Sequence, residues 1–284
     1  MNLRSIARKI SGGELHYILG RFWTVRKTYS GIRSLRNGLS RPDLDIEDHQ
    51  TLFPKACVPE VVAAIRTEAV YIGLQLPAEI VSEIRNFAES EPLHAIYDPN
   101  GPTFPYETVV RGIAADGRIV PVAGVSDPTR CPAIKAIVQD PRLRAIARKY
   151  LGHEPEKTTT LLSWSFASGI SDDDRRRLKH RVIDYHYDIE GYNFVYASFY
   201  ITDCDRDSGA HVMMKRSHKK KPLSMLLGSV VASEDEVWQQ FGRNNEIMIE
   251  GPAGTGFVQD TSCYHRATVP TARDRLMLAI RFIN

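Results

Sequence analysis

The spacing of apolar residues changes about half-way along the chain. In the first half they recur three and four positions apart, which is typical of one buried face of a helix. The stretch "LPAEIVSEIRNFAES" shows this spacing after a short apolar run, Ala69–Gly73, that we interpret as a strand. The stretch "DPRLRAIARKYLG" repeats it, with Asp140 as the helix cap, Pro141 in the first turn and Gly152 as the stop. The first half therefore predicts helices around one early strand.

The second half contains short runs of β-branched and aromatic residues that turns separate. These runs are "TTTLLSWSFAS", "FVYASFYITDC", "AHVMM", "EIMIEG", "GTGFVQD" and "RLMLAIRFI". A single helical stretch follows the capping box from Ser233 to Glu236. Because the strands lack regular crossover helices, the pattern argues against a doubly wound parallel sheet. It predicts a mainly β fold with helical support (α+β), a double-stranded β-helix or jelly-roll barrel of the cupin kind with N-terminal helices.

Composition adds few constraints. The 284 residues are 43% apolar and 25% charged, which is ordinary for a globular protein with a sizeable core. The four cysteines are scattered without CxxC spacing, so we expect reduced thiols. We find no apolar run of about 20 residues and no secretory signal, and we therefore expect a cytoplasmic protein.

Positive charge is concentrated in residues 1–41. Nine basic residues against one acid leave +8 there, so the net charge of +3 requires −5 from the rest of the chain. Apolar residues at helical spacing, from Leu3 to Ile10 and onward from Leu15, predict a basic amphipathic extension over residues 1–50 and one domain over residues 51–284. Such helices can contact an anionic membrane surface, pack on the domain, or form a transit peptide. No nucleic-acid-binding motif accompanies the charge, so we do not expect a nucleic-acid partner.

The segment "HYD" is the first candidate for chemistry. Side chains two positions apart share one side of a strand, so His186 and Asp188 can converge on a metal. Non-haem iron oxygenases bind iron with two histidines and one carboxylate. The second histidine could be His211, His218 or His265. An HxD pair alone occurs often by chance, so it does not establish a site.

The order of the motifs resembles the phytanoyl-CoA dioxygenase (PhyH-like) family of Fe(II)/2-oxoglutarate-dependent oxygenases. Members of this family carry HxD, a "GSH"-like segment, a distal histidine, and an arginine about ten residues later. Here the series reads "HYD", "SGAHVMMKRSHK", "GTGFVQDTSCYH" and "RLMLAIRF". The helical stretches "YIGLQLPAEIVSEIR" and "DPRLRAIARKYLGHEPE" extend the resemblance over roughly residues 65–284.

The resemblance implies a dioxygenase that hydroxylates a C–H bond. His186, Asp188 and His265 would hold Fe(II), with O2 and 2-oxoglutarate as co-substrates. Arg275 would bind the distal carboxylate of 2-oxoglutarate, because a guanidinium matches a carboxylate in two parallel hydrogen bonds. Arg273, on the same face of the predicted last strand, is the alternative. Related halogenases lack the aspartate, so its presence favours oxygenation or desaturation.

Other residues give weaker predictions. The family's Pro-Gly is replaced here by Lys215-Arg216, which is either a solvated loop or a site for an anionic substrate. Membrane contact of residues 1–41 would favour a lipid-linked or anionic sugar as the substrate. His218 is expected to be structural, and His211 to lie in the core or the pocket wall. Weaker candidates for pocket or support roles are Ser163, Trp164, Ser165, Thr261 and Ser262. A cupin-like metal-binding module without oxygenase activity and a zinc-dependent hydrolase are the rival functions.

Overall fold

The helices lie mainly in the first half of the chain. The computed structural model describes residues 15–36, 47–178 and 181–284. Within these ranges the helices are α1 (His16–Leu19), α2 (Trp23–Arg36), α3 (Val58–Glu68), α4 (Ala78–Ser90), α5 (Pro132–Gln139), α6 (Pro141–Leu151), α7 (Asp172–Arg177), α8 (Leu223–Leu227) and α9 (Glu234–Phe241). The predicted stripe from Leu3 to Ile10 lies outside the described residues.

Strands dominate the second half, as predicted. They are β1 (Val70–Gln75), β2 (Leu93–Ala95), β3 (Val122–Val125), β4 (Lys157–Ser165), β5 (Tyr185–His186), β6 (Phe194–Tyr200), β7 (His211–Met214), β8 (Val231–Ala232), β9 (Glu246–Ile249), β10 (Thr255–Gln259), β11 (His265–Ala267) and β12 (Arg275–Ile283). The predicted first strand was placed slightly too early. Ala69 is instead the left-handed cap of α3, and β1 continues through an irregularity between Ile72 and Leu74.

Two antiparallel sheets face each other. One has seven strands in the order β1-β10-β6-β12-β4-β3-β2, and the other has five in the order β8-β5-β11-β7-β9. The Tyr200 hydroxyl bridges them by donating to the Ile249 carbonyl at 2.9 Å. Helices α3 to α6 cover the outer face of the seven-stranded sheet, where Leu276 and Leu278 pack in the main core. This arrangement confirms the predicted jelly-roll barrel with helical support.

Helix α6 shows how local sequence positions the support layer. The Asp140 carboxylate accepts hydrogen bonds from the amides of Arg142 at 3.0 Å and Leu143 at 2.9 Å, which satisfies the free N–H groups of the first turn. Gly152 ends the helix with a φ of +84°. A Cβ atom there would lie 2.6 Å from the Ser30 carbonyl oxygen, so glycine lets α2 approach closely.

The described part of the basic extension packs on the barrel. Arg26 is 2% exposed and its Nη1 lies 3.0 Å from Asp260 Oδ1. Arg21 donates to the carbonyls of Leu226 and Gly228, both at 2.8 Å. These contacts match the packed alternative, while membrane contact and the division at residue 50 stay predictions. Among the described residues, no helix is long and apolar enough to cross a membrane.

Candidate metal centre

The three predicted ligands meet at the ends of two paired strands. His186 on β5 and His265 on β11 lie opposite each other in register, with ring centroids 4.3 Å apart. Asp188 follows β5, and its amide donates to the Thr261 carbonyl at 2.8 Å. One ligand atom from each of the three residues lies within 4.8 Å of the others. The structure thus gathers two imidazoles and one carboxylate from positions up to 79 residues apart.

Both imidazoles are oriented by backbone carbonyls. His186 Nδ1 lies 2.9 Å from the Asp184 carbonyl oxygen, and His265 Nδ1 lies 3.0 Å from that of Cys263. A carbonyl oxygen only accepts hydrogen bonds, so we infer that each Nδ1 carries the proton. Each Nε2 then has a lone pair available for a metal. Such carbonyl partners commonly fix metal-binding histidines in proteins.

The local environment also favours the neutral form of the second imidazole. Burial, and then the neighbouring His186, lower the pKa of His265 to about 4, against the opposing charge of Asp188. His265 Nε2 lies 3.7 Å from Asp188 Oδ2. A neutral imidazole beside a carboxylate is the form that binds a divalent cation. No proton must leave His265 near neutral pH before it can act as a ligand.

Arg275 lies inside the barrel without an anionic partner. It is 7% exposed, and its Nη2 donates to Ser165 Oγ at 3.0 Å while its Nη1 donates to the Gly209 carbonyl. Its Nε is buried with no hydrogen-bond partner. Among the described residues, no acidic side chain forms an ion pair with it. Buried charges are normally paired, so this guanidinium fits a ligand carboxylate.

The alternative arginine lies at the surface. The side chain of Arg273 is 56% exposed and forms an ion pair with Asp205. The structure therefore places Arg275 in the barrel interior and Arg273 outside it.

Comparison of folds identifies related architectures. No protein-family model matches the chain, and the search of curated sequences found no significant match. The epimerase SnoN from nogalamycin biosynthesis, a non-heme α-ketoglutarate-dependent enzyme, matches with a TM-score of 0.52 and 16% identity, over 80% of this chain and 83% of that one. The carbocyclase SnoK, another non-heme α-ketoglutarate-dependent enzyme from nogalamycin biosynthesis, matches with a TM-score of 0.50 and 14% identity. The match covers 79% of this chain and 83% of that one.

The chain has the fold of the non-haem 2-oxoglutarate-dependent enzymes. (α-Ketoglutarate and 2-oxoglutarate are the same compound.) This is the architecture that the resemblance to the PhyH-like family predicted. Because SnoN is named an epimerase and SnoK a carbocyclase, the fold alone does not specify the reaction.

The structure also gives clear positions to several of the weaker candidates for pocket or support roles. Ser165 contacts Arg275, as described above. Trp164 points to the opposite side of β4 and stacks on Tyr106, with ring centroids 4.2 Å apart. Thr261 supports Asp188 through its carbonyl, while Ser262 Oγ accepts a hydrogen bond from Arg26. Ser165, Thr261 and Ser262 thus support the site through neighbouring groups, whereas Trp164 packs away from it.

His218 and the neighbouring cations Lys215 and Arg216 lie apart from the three metal donors. His218 Nε2 lies 3.2 Å from the Arg66 carbonyl oxygen, and burial lowers its pKa to about 4. Lys215 and Arg216 form ion pairs with Glu68 at 3.8 and 2.7 Å. The hydrogen bond from Arg216 is the main reason that the pKa of Glu68 is lowered. The two cations thus share the single carboxylate of Glu68 at the end of α3.

Sequence reasoning missed a charged cluster around Asp260, which begins the turn that leads to His265. Asp260 is fully buried and accepts hydrogen bonds from Arg26 and, at 2.5 Å, from the Tyr150 hydroxyl. Burial opposes ionisation, yet Arg26 holds the pKa of Asp260 far below its usual range. One signal was available in the sequence. Arg26 continues the apolar stripe of Leu15 and Phe22 at helical spacing, and a basic residue on that face indicates a buried partner.

Proposed function

We propose that the protein is a non-haem Fe(II)/2-oxoglutarate-dependent oxygenase. One observation carries the proposal. A set of three metal donors and an unpaired buried guanidinium, that of Arg275, lie within the same barrel. A metal-binding module without chemistry would need the donors but not the buried cation. The fold shared with SnoN and SnoK agrees with this assignment.

The donor set fits Fe(II). Two imidazole nitrogens and one carboxylate oxygen on one side of a metal form the arrangement used by non-haem Fe(II) oxygenases, which leaves positions open for co-substrates. When bound, Fe(II) supplies the oxidative chemistry with O2 and 2-oxoglutarate, which is converted to succinate and CO2.

The chain's own groups bind and orient the co-substrate. Arg275 is held in a fixed direction by Ser165 and by the Gly209 carbonyl, so its remaining N–H groups face a ligand without further ordering. Its charge offsets that of the distal carboxylate in a site with little water. The carbonyls behind His186 and His265 keep their rings directed at the metal. The barrel thereby fixes both ends of the co-substrate before reaction.

O2-dependent succinate formation tests the proposal. Protein purified without oxygen and loaded with Fe(II) should convert 2-oxoglutarate to succinate when O2 is admitted, including the slow turnover that occurs without substrate. Metal analysis should find iron binding in a stoichiometric amount. Retention of zinc with no succinate would favour the hydrolase. Metal binding without affinity for 2-oxoglutarate would favour the cupin-like module.

Hydroxylation of an anionic or lipid-linked small molecule is the finer part of the proposal. Asp188 supports oxygen insertion, since it provides the carboxylate ligand. The support for an anionic substrate is the positive charge of residues 1–41 and of the segment after β7, although Lys215 and Arg216 already pair with Glu68. Co-sedimentation with anionic vesicles tests membrane contact. The variant should neutralise Arg4, Arg8 and Lys9 rather than remove residues 1–41, because Arg26 is part of the packed structure.

Replacing Arg275 by lysine should weaken 2-oxoglutarate binding by about 10- to 100-fold, since one charge-assisted hydrogen bond contributes roughly 1.5–3 kcal/mol. Lysine keeps the charge but loses the planar pair of donors. Titration of metal-loaded protein without oxygen measures the affinity. Arg273→Lys is the matched control and should bind as the wild type does. Equal affinities for the two variants would contradict the role of Arg275.

A further inference from the structure

His211 lies on the same inner face as the two candidate histidine ligands. On the paired strands β7 and β11, His211 is opposite Ala267, and Met213 is opposite His265. Residues opposite one another in an antiparallel pair share a face, and so do residues two positions apart. The rings of His211 and His265 are stacked, with centroids 5.4 Å apart and planes 28° apart. His211 therefore faces the space beside the metal donors.

The other side of His211 borders the Arg275 site. Gly209, two residues earlier, is the carbonyl acceptor for Arg275 Nη1. Burial is the main reason that the pKa of His211 is lowered, and the nearby Arg275 guanidinium lowers it as well. The His211 ring thus contacts one metal-donor histidine, and the carbonyl two residues before it accepts from the guanidinium. A dicarboxylate that joins these two points would pass beside it.

The imidazole has unmet hydrogen-bonding capacity. His211 is 7% exposed, and its Nε2 is buried without a hydrogen-bond partner, as is Gln259 Oε1. Phe257 packs against the ring, with centroids 5.3 Å apart. Burying an unpaired polar atom costs free energy, and a leucine or phenylalanine would fill the space without that cost. The Gln259 side chain lies beside the ring and can pair with one of its nitrogens, which leaves the other nitrogen for a ligand.

His211 is not a fourth metal donor. The group of donor atoms that come within 4.8 Å of one another contains His186, Asp188 and His265, without His211. A neutral imidazole still offers one N–H donor and one acceptor nitrogen. It can therefore hydrogen-bond a carboxylate without adding a second positive charge to the site.

We propose that His211 is a further binding residue for 2-oxoglutarate, with an imidazole N–H that donates to a carboxylate oxygen between the metal and Arg275. This inference rests on the proposed function. The amide of Gln259 lies beside the ring and can determine which nitrogen carries the proton. Arg275 fixes the distal end of the co-substrate, and His211 fixes its direction along the barrel.

Calorimetric titration of Ni(II)-loaded protein with 2-oxoglutarate tests the inference without turnover. His211→Phe keeps a ring of similar size and removes both nitrogens. We expect its affinity for 2-oxoglutarate to fall by about 10- to 100-fold, as for loss of one hydrogen bond to a charged group. Its affinity for Ni(II) should stay within about 2-fold of the wild type, since no metal donor is changed. His211→Gln, which keeps an N–H donor, should recover most of the affinity.

The controls separate the inference from the proposed function. Met213→Leu, on the same face of β7, should bind 2-oxoglutarate as the wild type does. Unchanged 2-oxoglutarate affinity in His211→Phe, or loss of Ni(II) from it, would overturn the inference alone. Failure of wild-type protein to bind 2-oxoglutarate would overturn the proposed function as well. If His211→Phe does not fold, the ring nitrogen NMR signals of Zn(II)-loaded wild type decide: those of His211 should shift on addition of 2-oxoglutarate, and no shift would overturn the inference.

Discussion

Replacing His265 by alanine is expected to abolish iron binding and succinate formation. Only His186 and Asp188 would remain as donors, and water would replace the missing imidazole. Changes to groups that merely support a metal ligand already cost about 10- to 100-fold in affinity or activity. Loss of the ligand itself should exceed that range. The effect should appear as metal loss, with little change in folding, because the ring makes one backbone hydrogen bond.

Metal content after anaerobic reconstitution measures the first effect, and succinate formation measures the second. His94→Ala is a suitable control because His94 lies on β2, away from the metal donors, with its Nδ1 3.4 Å from Ser126 Oγ. It should retain iron and activity. His186→Ala should behave as His265→Ala does. If either ligand variant kept stoichiometric iron and wild-type turnover, the assignment of the metal centre would be wrong.

The metal centre could be anticipated because its geometry follows from short-range rules and one long-range resemblance. Alternation along a strand predicted one shared side for His186 and Asp188, although β5 ends at His186, and the same rule places Arg275 on the inner face of β12. Nothing local selects His265 over His211 or His218. That selection came from motif order, and the register of β11 against β5 supplies its physical basis.

Local capping made α6 equally predictable. Asp140 and Gly152 each act on backbone groups within a few positions, so their effects can be read directly from sequence. The start of β1 was harder to predict. Ala69 adopts a left-handed conformation as the cap of α3, a position usually occupied by glycine, so its residue type gave no warning. The glycine at position 73 was interpreted as an end but lies within the strand, at its irregularity.

The pairing of Arg26 with Asp260 could not be predicted, since 234 residues separate them. The excess of positive charge over residues 1–41 is a property of the whole segment and does not identify which arginine is buried. Burial of the Arg26 guanidinium depends on how α2 packs against the barrel. Membrane binding and packing on the domain predict the same amphipathic pattern. The contacts of Arg21 and Arg26 show packing on the barrel for the described part of the extension, and membrane contact stays a prediction.

Arg26→Met should destabilise the protein by about 3–5 kcal/mol, the range for removing one partner of a buried ion pair. Without Arg26, the fully buried Asp260 would have to remain an uncompensated charge or take up a proton at neutral pH, because burial raises its pKa and Arg26 is the main group that lowers it. The Tyr150 hydroxyl and the Ser262 amide would still donate to it, but neither carries charge. Methionine fills much of the same volume, so the expected loss arises mainly from the unpaired charge. Unfolding in urea, followed by circular dichroism, measures the change.

Arg33→Met provides the matched control on the same helix. Arg33 pairs with Glu156, but these side chains are 31% and 49% exposed, and such pairs contribute about 0–1 kcal/mol. The double variant Arg26→Met/Asp260→Asn should recover part of the lost stability, since it leaves no uncompensated charge. If Arg26→Met lost no more stability than Arg33→Met, the buried ion pair would not exist in solution.

The same variant connects the extension to the metal centre. Asp260 begins the turn that leads to His265, and the next residue, Thr261, holds the Asp188 amide. Arg26 Nη2 also donates at 2.8 Å to Asn193, which lies five residues after the metal donor Asp188. Arg26 therefore joins both chain segments that carry metal donors, and Arg26→Met should weaken iron binding even at temperatures where the protein stays folded. Arg33→Met should leave iron affinity unchanged. Equal iron affinities in the two folded variants would mean that the extension stabilises the barrel without positioning its metal donors.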